Sequence, residues 1–332
     1  MNSIIIIIDY FGEKIPEWFD FFLESCRWNP SIDWLIHTDC DIDSILPDNV
    51  KIEKMEWASY TKHISEKLNI NFQTDSKYKI CDIRPAFGVI WSEEIENYDF
   101  FGYSDIDVIY GDIRKFYTTD VLNNNNILST HEWCFSGHLC LLRNSDWIVK
   151  AYTRVNNWKK LFEINENIRF DEDYFFRAFL RPNRFDNPKL HWLIWLFDRA
   201  NPLNWKYRLR IYMKEQYTTP LVPSLWRNTE VKHSDLWFWK DGKITNDTNN
   251  REFIYLHFMN FKNARYMDVS YGVHAPWDKL SLIVNVEKDK IKNGFSIGLN
   301  GFCSLSKDED VPVSQNRGDL NPNAVKYECD FS

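Results

Sequence analysis

The sequence predicts an α/β fold built on a mostly parallel central sheet, and three observations carry that prediction. Ile4 to Ile8 is an unbroken run of β-branched residues, the pattern of a strand buried on both faces. Strand-like and helix-like segments then alternate through residues 1–182, as they do in βαβ units. Acids stand at the ends of three of those strands: Asp9, Asp39 and the pair Asp105 and Asp107. Ligands of such sheets bind beyond the carboxyl ends of the strands, so one edge of the sheet is the place to look for chemistry.

After the first strand, Trp18, Phe19, Phe22, Leu23 and Cys26 recur at helical spacing and predict a helix over 15–27 entered through Pro16. Asp33 to Asp39 reads as the second strand and Val50 to Trp57 as a shorter third. Helices are expected over 60–68 and over 83–95, the latter opened by Arg84-Pro85. Phe100 to Ser104 is the central strand that delivers the paired aspartates, with a glycine turn after them at Gly111. Beyond a four-asparagine loop at 123–126, strands are expected at 127–131 and after Gly137-His138, then a helix over 146–163. Phe170 to Phe176 opens another helix whose first turn holds Asp171, Glu172 and Asp173, where the helix dipole favours acids.

From about Asn183 the character changes. Leu190 to Phe197 is apolar and aromatic, and Arg199, Lys206, Arg208, Arg210 and Lys214 follow among Trp205, Tyr207 and Tyr212. A buried helical hairpin fits this stretch, and so does peripheral contact with a membrane surface through residues 190–214. Glu252 to Phe258 returns as a strand, and from Lys288 the chain turns polar and rich in Gly, Asn and Asp, the composition of a loosely ordered tail. The expected divisions are a core over 1–182, a helical, aromatic-rich insertion with a return strand over 183–287, and a tail over 288–332.

A formal charge of −8 over 332 residues excludes the basic footprint that general nucleic-acid binding needs. Aromatic residues make up 17% of the chain, 15 of them Trp, which favours a ligand with a sugar or nucleobase face to stack on. Seven widely spaced cysteines without a CxxC motif read as reduced thiols in a cytoplasmic protein. Ile4 to Ile8 lacks a basic flank and is too short for a signal peptide, and no stretch reaches the roughly 20 apolar residues of a membrane span.

Asp105 and Asp107 are costly to bury without a counter-charge. A hard divalent cation, Mn²⁺ or Mg²⁺, suits two carboxylates one residue apart, although aspartates also cap turns. His257 at the end of the return strand is the candidate third ligand, and Lys262 is placed to neutralise a phosphate nearby. Lys79, Asp82 and Arg84 surround a helix entrance where an anion can be met. Among Asp171, Glu172 and Asp173, capping accounts for one or two, and a general base for an acceptor hydroxyl accounts for the third.

The segments 78–85 and 98–112, with Asp9-Tyr10-Phe11-Gly12, Thr38-Asp39, Gly137-His138 and His257, resemble a family of bacterial polysaccharide glycosyltransferases of capsule and O-antigen gene clusters. The likeness covers roughly residues 1–265. It implies a GT-A fold whose Asp-x-Asp motif holds Mn²⁺ or Mg²⁺ against a nucleotide-sugar diphosphate, the donor being a UDP-sugar by analogy. The acceptor implied is a saccharide or lipid-linked saccharide, and the location the cytoplasm, at the inner face of its membrane. The nucleobase is then expected over Asp9, Tyr10 and Asp39, with Asp82 and Arg84 orienting the donor and Glu172 or Asp173 serving as base if configuration inverts. His257-Phe258 and Lys262 look like the late metal and phosphate motif of glycogenin-like and lipopolysaccharide galactosyltransferases. That motif has a Gly-Pro element where this chain has Met259-Asn260-Phe261, and its spacing is one residue longer. Two other readings stay open: a carbohydrate-binding protein without catalysis, and a haloacid-dehalogenase-type phosphatase, whose Asp-x-Asp continues to a Thr or Val where Ile109 stands here.

Overall fold

The structure, a computed structural model, describes residues 1–132, 134–180, 210–219, 236–247, 251–258, 283–284, 286–298 and 301–305. Its first four strands are β1 (Ile4–Asp9), β2 (Asp33–Thr38), β3 (Val50–Lys54) and β4 (Phe100–Ser104). They are followed by β5 (Val108–Tyr110), β6 (Ile127–Ser129), β7 (Leu139–Arg143) and β8 (Ile211–Met213). All but β5 join one sheet in the order β3-β2-β1-β4-β7-β6-β8. The first four run parallel, β7 is antiparallel to both β4 and β6, and β8 returns parallel to β6. The predicted α/β class with a mostly parallel sheet is therefore the observed one, and Asp9, Thr38 and Ser104 finish three parallel strands at the same edge.

Because side chains alternate along a strand, β1 divides the core in two. Ile4, Ile6 and Ile8 face α1 (Phe19–Arg27), and Ile5 and Ile7 face α2 (Trp57–Leu68). Two predicted helices are broken. Over 83–95 the chain forms α3 (Ile80–Ile83), a 3₁₀ turn at Arg84–Ala86 and α4 (Phe87–Ile90). Pro85 lacks the N–H that a continuous helix needs. Short helices α5 (Ile113–Phe116) and α6 (Thr119–Asn124) precede β6. Over 146–163 lie α7 (Asp146–Val149), a 3₁₀ turn and α8 (Trp158–Phe162), interrupted where Asn157 takes a left-handed conformation at φ 57°. Phe170–Tyr174 forms a π-helical turn leading into α9 (Phe175–Leu180).

The second half departs further from expectation. Besides β11 (Tyr255–His257), the return strand expected over 252–258, its described elements before residue 258 are also strands, β8 and a hairpin of β9 (Leu236–Lys240) and β10 (Lys243–Asn246). Leu190–Phe197, and with it most of the 190–214 stretch, lies outside the described residues. Residues 288–305, expected as a loose tail, instead hold a 3₁₀ helix and two strands that follow β12 (Ile283–Val284). Those strands, β13 (Phe295–Gly298) and β14 (Gly301–Ser304), build a five-strand sheet β10-β9-β13-β14-β12. Phe295, Ile297 and Phe302 are fully buried there, and Phe21 of α1 packs on Phe302 with ring centroids 4.4 Å apart. No helix among the described residues is long and apolar enough to cross a membrane.

Candidate active site

Asp105 leaves the end of β4 in a turn fixed from several sides. Ser104 Oγ donates to the His138 carbonyl at 2.6 Å and accepts from Tyr110 Oη at 2.7 Å. Trp18 Nε1 donates to the Ile106 carbonyl, between the two acids, at 2.9 Å. β5 then pairs antiparallel with β11, setting His257 opposite Val108, and the Phe258 N–H donates to the Asp107 carbonyl at 3.2 Å. This ladder brings His257 Nε2 to 3.6 Å from Asp107 Oδ1 and 3.8 Å from Asp105 Oδ2. The three donor atoms lie within 4.8 Å of one another. Adjacent donors on a six-coordinate cation with bonds of about 2.1 Å sit about 3 Å apart. A small closure of side chains therefore fits two carboxylates and an imidazole to Mn²⁺ or Mg²⁺.

The cluster opens on a cavity of about 660 Å³, within the range of small-molecule sites. Arg84 forms part of its wall, with Nη2 on Asp105 Oδ1 at 2.5 Å and Nη1 on the Gly137 carbonyl at 2.8 Å. Nη1 also stands 3.8 Å from Asp171 Oδ2, so one guanidinium joins the Asp105–Asp107–His257 cluster to the acidic turn. Burial opposes that charge, but Asp105 and Asp171 outweigh burial and hold Arg84 protonated. Asp171 is buried, and burial with the neighbouring Glu172 pushes its carboxyl well above the usual range against the pull of Arg84. Glu172 also lines the cavity, with Oε2 held by Arg169 Nη2 at 2.8 Å. A Cβ added at Gly137 would stand 3.0 Å from Glu172 Oε1 and 3.4 Å from Asp171 Oδ2. The glycine is what lets the acids approach β7.

The other predicted residues separate. Tyr10 lines the cavity, its phenol pushed up to about 12 by burial and by Cys40, Asp107 and Asp39. Asp9 is on the lining, but its carboxylate is used elsewhere, on His37 Nδ1 at 2.7 Å and Tyr60 Oη at 2.5 Å. Asp39 is not on the lining; it holds Lys77 at 3.2 Å, and Lys77 is. Lys79 and Asp82 are fully buried, ion-paired at 2.7 Å and off the cavity, contrary to the ligand-contacting role expected of them. Asp173 is also off the lining, turned to Arg169 at 3.9 Å, with burial raising its carboxyl. Lys262 lies outside the described residues.

Sequence reasoning missed Lys77 and Tyr78 on the cavity wall. Both stand one helical turn before Cys81 and two before Arg84, so a helical reading from residue 77 would have found them. It also gave His138 no role. That imidazole stacks on His257 with centroids 3.9 Å apart, and its Nδ1 lies 2.9 Å from Tyr255 Oη, which reaches Thr130 Oγ1 at 2.6 Å. Burial, then His257 and His131, lower its pKa well below the usual histidine value.

The model of a family of unknown function, DUF6625, matches residues 6–283 and so spans every residue of this site. The chain belongs to that family. Among curated proteins no sequence matches it. Solved structures similar to it include a galactosyltransferase, LgtC, in complex with donor and acceptor sugar analogs. That match has 13% identity and a TM-score of 0.32, over 62% of this chain and 82% of LgtC. The glycosyltransferase GlyE of Streptococcus pneumoniae TIGR4 matches at 11% identity and a TM-score of 0.32, over 65% of this chain and 46% of its own.

Proposed function

We propose that the protein is a metal-dependent glycosyltransferase that moves a sugar from a nucleotide-sugar donor, a UDP-sugar, to a saccharide or glycolipid acceptor of the cell surface. The observation that carries this reading is the convergence of Asp105, Asp107 and His257 on one cavity edge with Arg84 and the Asp171–Glu172 turn beside them. A carbohydrate-binding protein could use a cation site but would not need an acidic turn tied to it through Arg84.

Asp105, Asp107 and His257 would hold Mn²⁺ or Mg²⁺, which when bound supplies Lewis-acid neutralisation of the leaving diphosphate. Arg84 adds a fixed positive charge next to Asp105, where charge develops as the sugar–phosphate bond breaks. Tyr10, with Lys77 at the same lining, forms the end of the cavity that takes the nucleoside. Asp171, whose carboxyl is pushed towards its neutral form by burial and Glu172, offers a hydrogen bond to the sugar. If the transfer inverts configuration, Glu172, on the lining, takes the acceptor proton, a part that Asp173 cannot share from off the cavity.

Calorimetric titration of UDP, with and without Mn²⁺, tests the donor half of this reading. Binding that requires Mn²⁺ is expected; metal-independent or absent binding overturns it. A panel of nucleotide sugars, followed by Mn²⁺-dependent release of the nucleoside diphosphate, then identifies the donor.

A further inference from the structure

Residues 77 to 86 form a short, nearly continuous helical segment with two functional faces. Lys77, Tyr78, Cys81 and Arg84 look into the cavity, whereas Lys79 and Asp82, fully buried, look the other way. There they meet residues 161–170, the stretch that leads into the acidic turn. Lys79 Nζ uses all three of its donors: on Asp82 Oδ2 at 2.7 Å, on the Leu161 carbonyl at 3.0 Å and on the Glu166 carbonyl at 3.1 Å. Asp82 is equally occupied. Its Oδ2 also accepts from the Ile168 N–H at 3.0 Å, and its Oδ1 accepts from the Phe170 N–H at 2.7 Å and Asn167 Nδ2 at 3.3 Å. Between those anchors Arg169 is held at φ 57°, a left-handed conformation that a non-glycine side chain adopts only under constraint. The π-helical turn carrying Asp171 and Glu172 starts at the next residue.

We propose that the buried Lys79–Asp82 pair is a clamp that sets the position of Asp171 and Glu172 against Arg84 and Gly137, making both positioning residues of the site. The assignment rests on the glycosyl-transfer reading only for its kinetic consequence. An apolar pair could fill the same volume, since buried ion pairs give little net stability against apolar replacements. It could not fix the register of the backbone at 166–170 in the same way, because Asp82 accepts from the Ile168 and Phe170 amides and Lys79 donates to the Glu166 carbonyl. The cavity face and the clamp face of one short helix are thereby coupled. Arg84 and the acids it faces are placed by the same few turns of chain.

The test uses Asp82→Asn, Lys79→Met and the double substitution Lys79→Met/Asp82→Asn in the full chain. Hydrogen exchange of residues 166–174 is expected to accelerate while β1 and β4 stay protected, and Mn²⁺ affinity, titrated with the metal alone, is expected to stay at the wild-type value. For UDP-sugar turnover, kcat is expected to fall by roughly 10²-fold with donor KM unchanged, the scale on which an ångström of misplacement acts. The double variant leaves no lone buried charge, so it reads the clamp even where a single variant unfolds. Unchanged exchange at 166–174 overturns the clamp, as does accelerated exchange with wild-type kcat. A wild-type protein that turns over no nucleotide sugar defeats the functional reading instead, and the exchange result then decides the clamp alone.

Discussion

Asp107 and Asp171 are both carboxylates on the cavity wall, but they stand in different surroundings. Asp107 faces His257 at 3.6 Å, and with Asp105 the two offer a donor set that could hold a cation. Asp107→Ala is expected to lower Mn²⁺-dependent donor turnover by about 10²–10³-fold, the cost of losing one charge-stabilising group. A variant that retains full activity removes the pair from the mechanism. Burial and Glu172 raise the pKa of Asp171, so folding favours its protonated form. Above about pH 4 the unfolded chain gives up that proton while the folded chain retains it. Folding then binds a proton, and stability contributed at this position falls as pH rises. Asp171→Asn removes the dependence, so its melting temperature relative to wild type is expected to climb from pH 4 to pH 8 while turnover falls. A difference flat in pH would mean that Asp171 is ionised in the fold.

At the scale of elements, the short β5–β11 ladder does the work that the Asp-x-Asp motif cannot do alone. It pairs two strands nearly 150 positions apart and carries His257 to the two aspartates. Leu256, fully buried in β11 opposite Ile109, anchors that pairing. Leu256→Ala is expected to cost about 2–5 kcal/mol and to weaken Mn²⁺ binding. Leu128→Ala, equally buried but in β6, serves as the control with comparable destabilisation and unchanged Mn²⁺ affinity. Equal Mn²⁺ affinities in the two variants would separate the ladder from the metal site. The strands of this ladder were half legible. Tyr255 to His257 could be read from their apolar run, but Val108 to Tyr110 looked like the approach to a turn, because three residues are too few to show a period.

Across the whole molecule, the sheet built by β9, β10 and β12 to β14 closes over α1, on the face of the central sheet away from α2. Phe302, fully buried between Phe21, Phe258 and Phe295, joins its core to that of the first half. Phe302→Ala is expected to cost about 3–5 kcal/mol in chemical denaturation; a neutral substitution would restore the picture of a dispensable tail. The signal for this sheet was present but faint. Phe295-Ser296-Ile297 and Phe302-Cys303 alternate over very short spans inside a polar, glycine-rich stretch, where composition speaks louder than period.

By itself the sequence determined the α/β class, the parallel strands and the three acid-tipped ends, because buried strands and strand-end acids are local patterns of hydrophobicity and charge. It also proposed Asp105, Asp107 and His257 as one set, and the structure brings those three together. Only the tertiary structure decided which charges face the cavity. Lys79 and Asp82 look in sequence like their neighbour Arg84, but the turn of a short helix sends them into the interior and Arg84 to the site. Likewise Asp9 is taken up by His37 and Tyr60, while Lys77 and His138 arrive on the wall unannounced. A charge's partner is set by what packs against it, and packing is settled by contacts between distant segments.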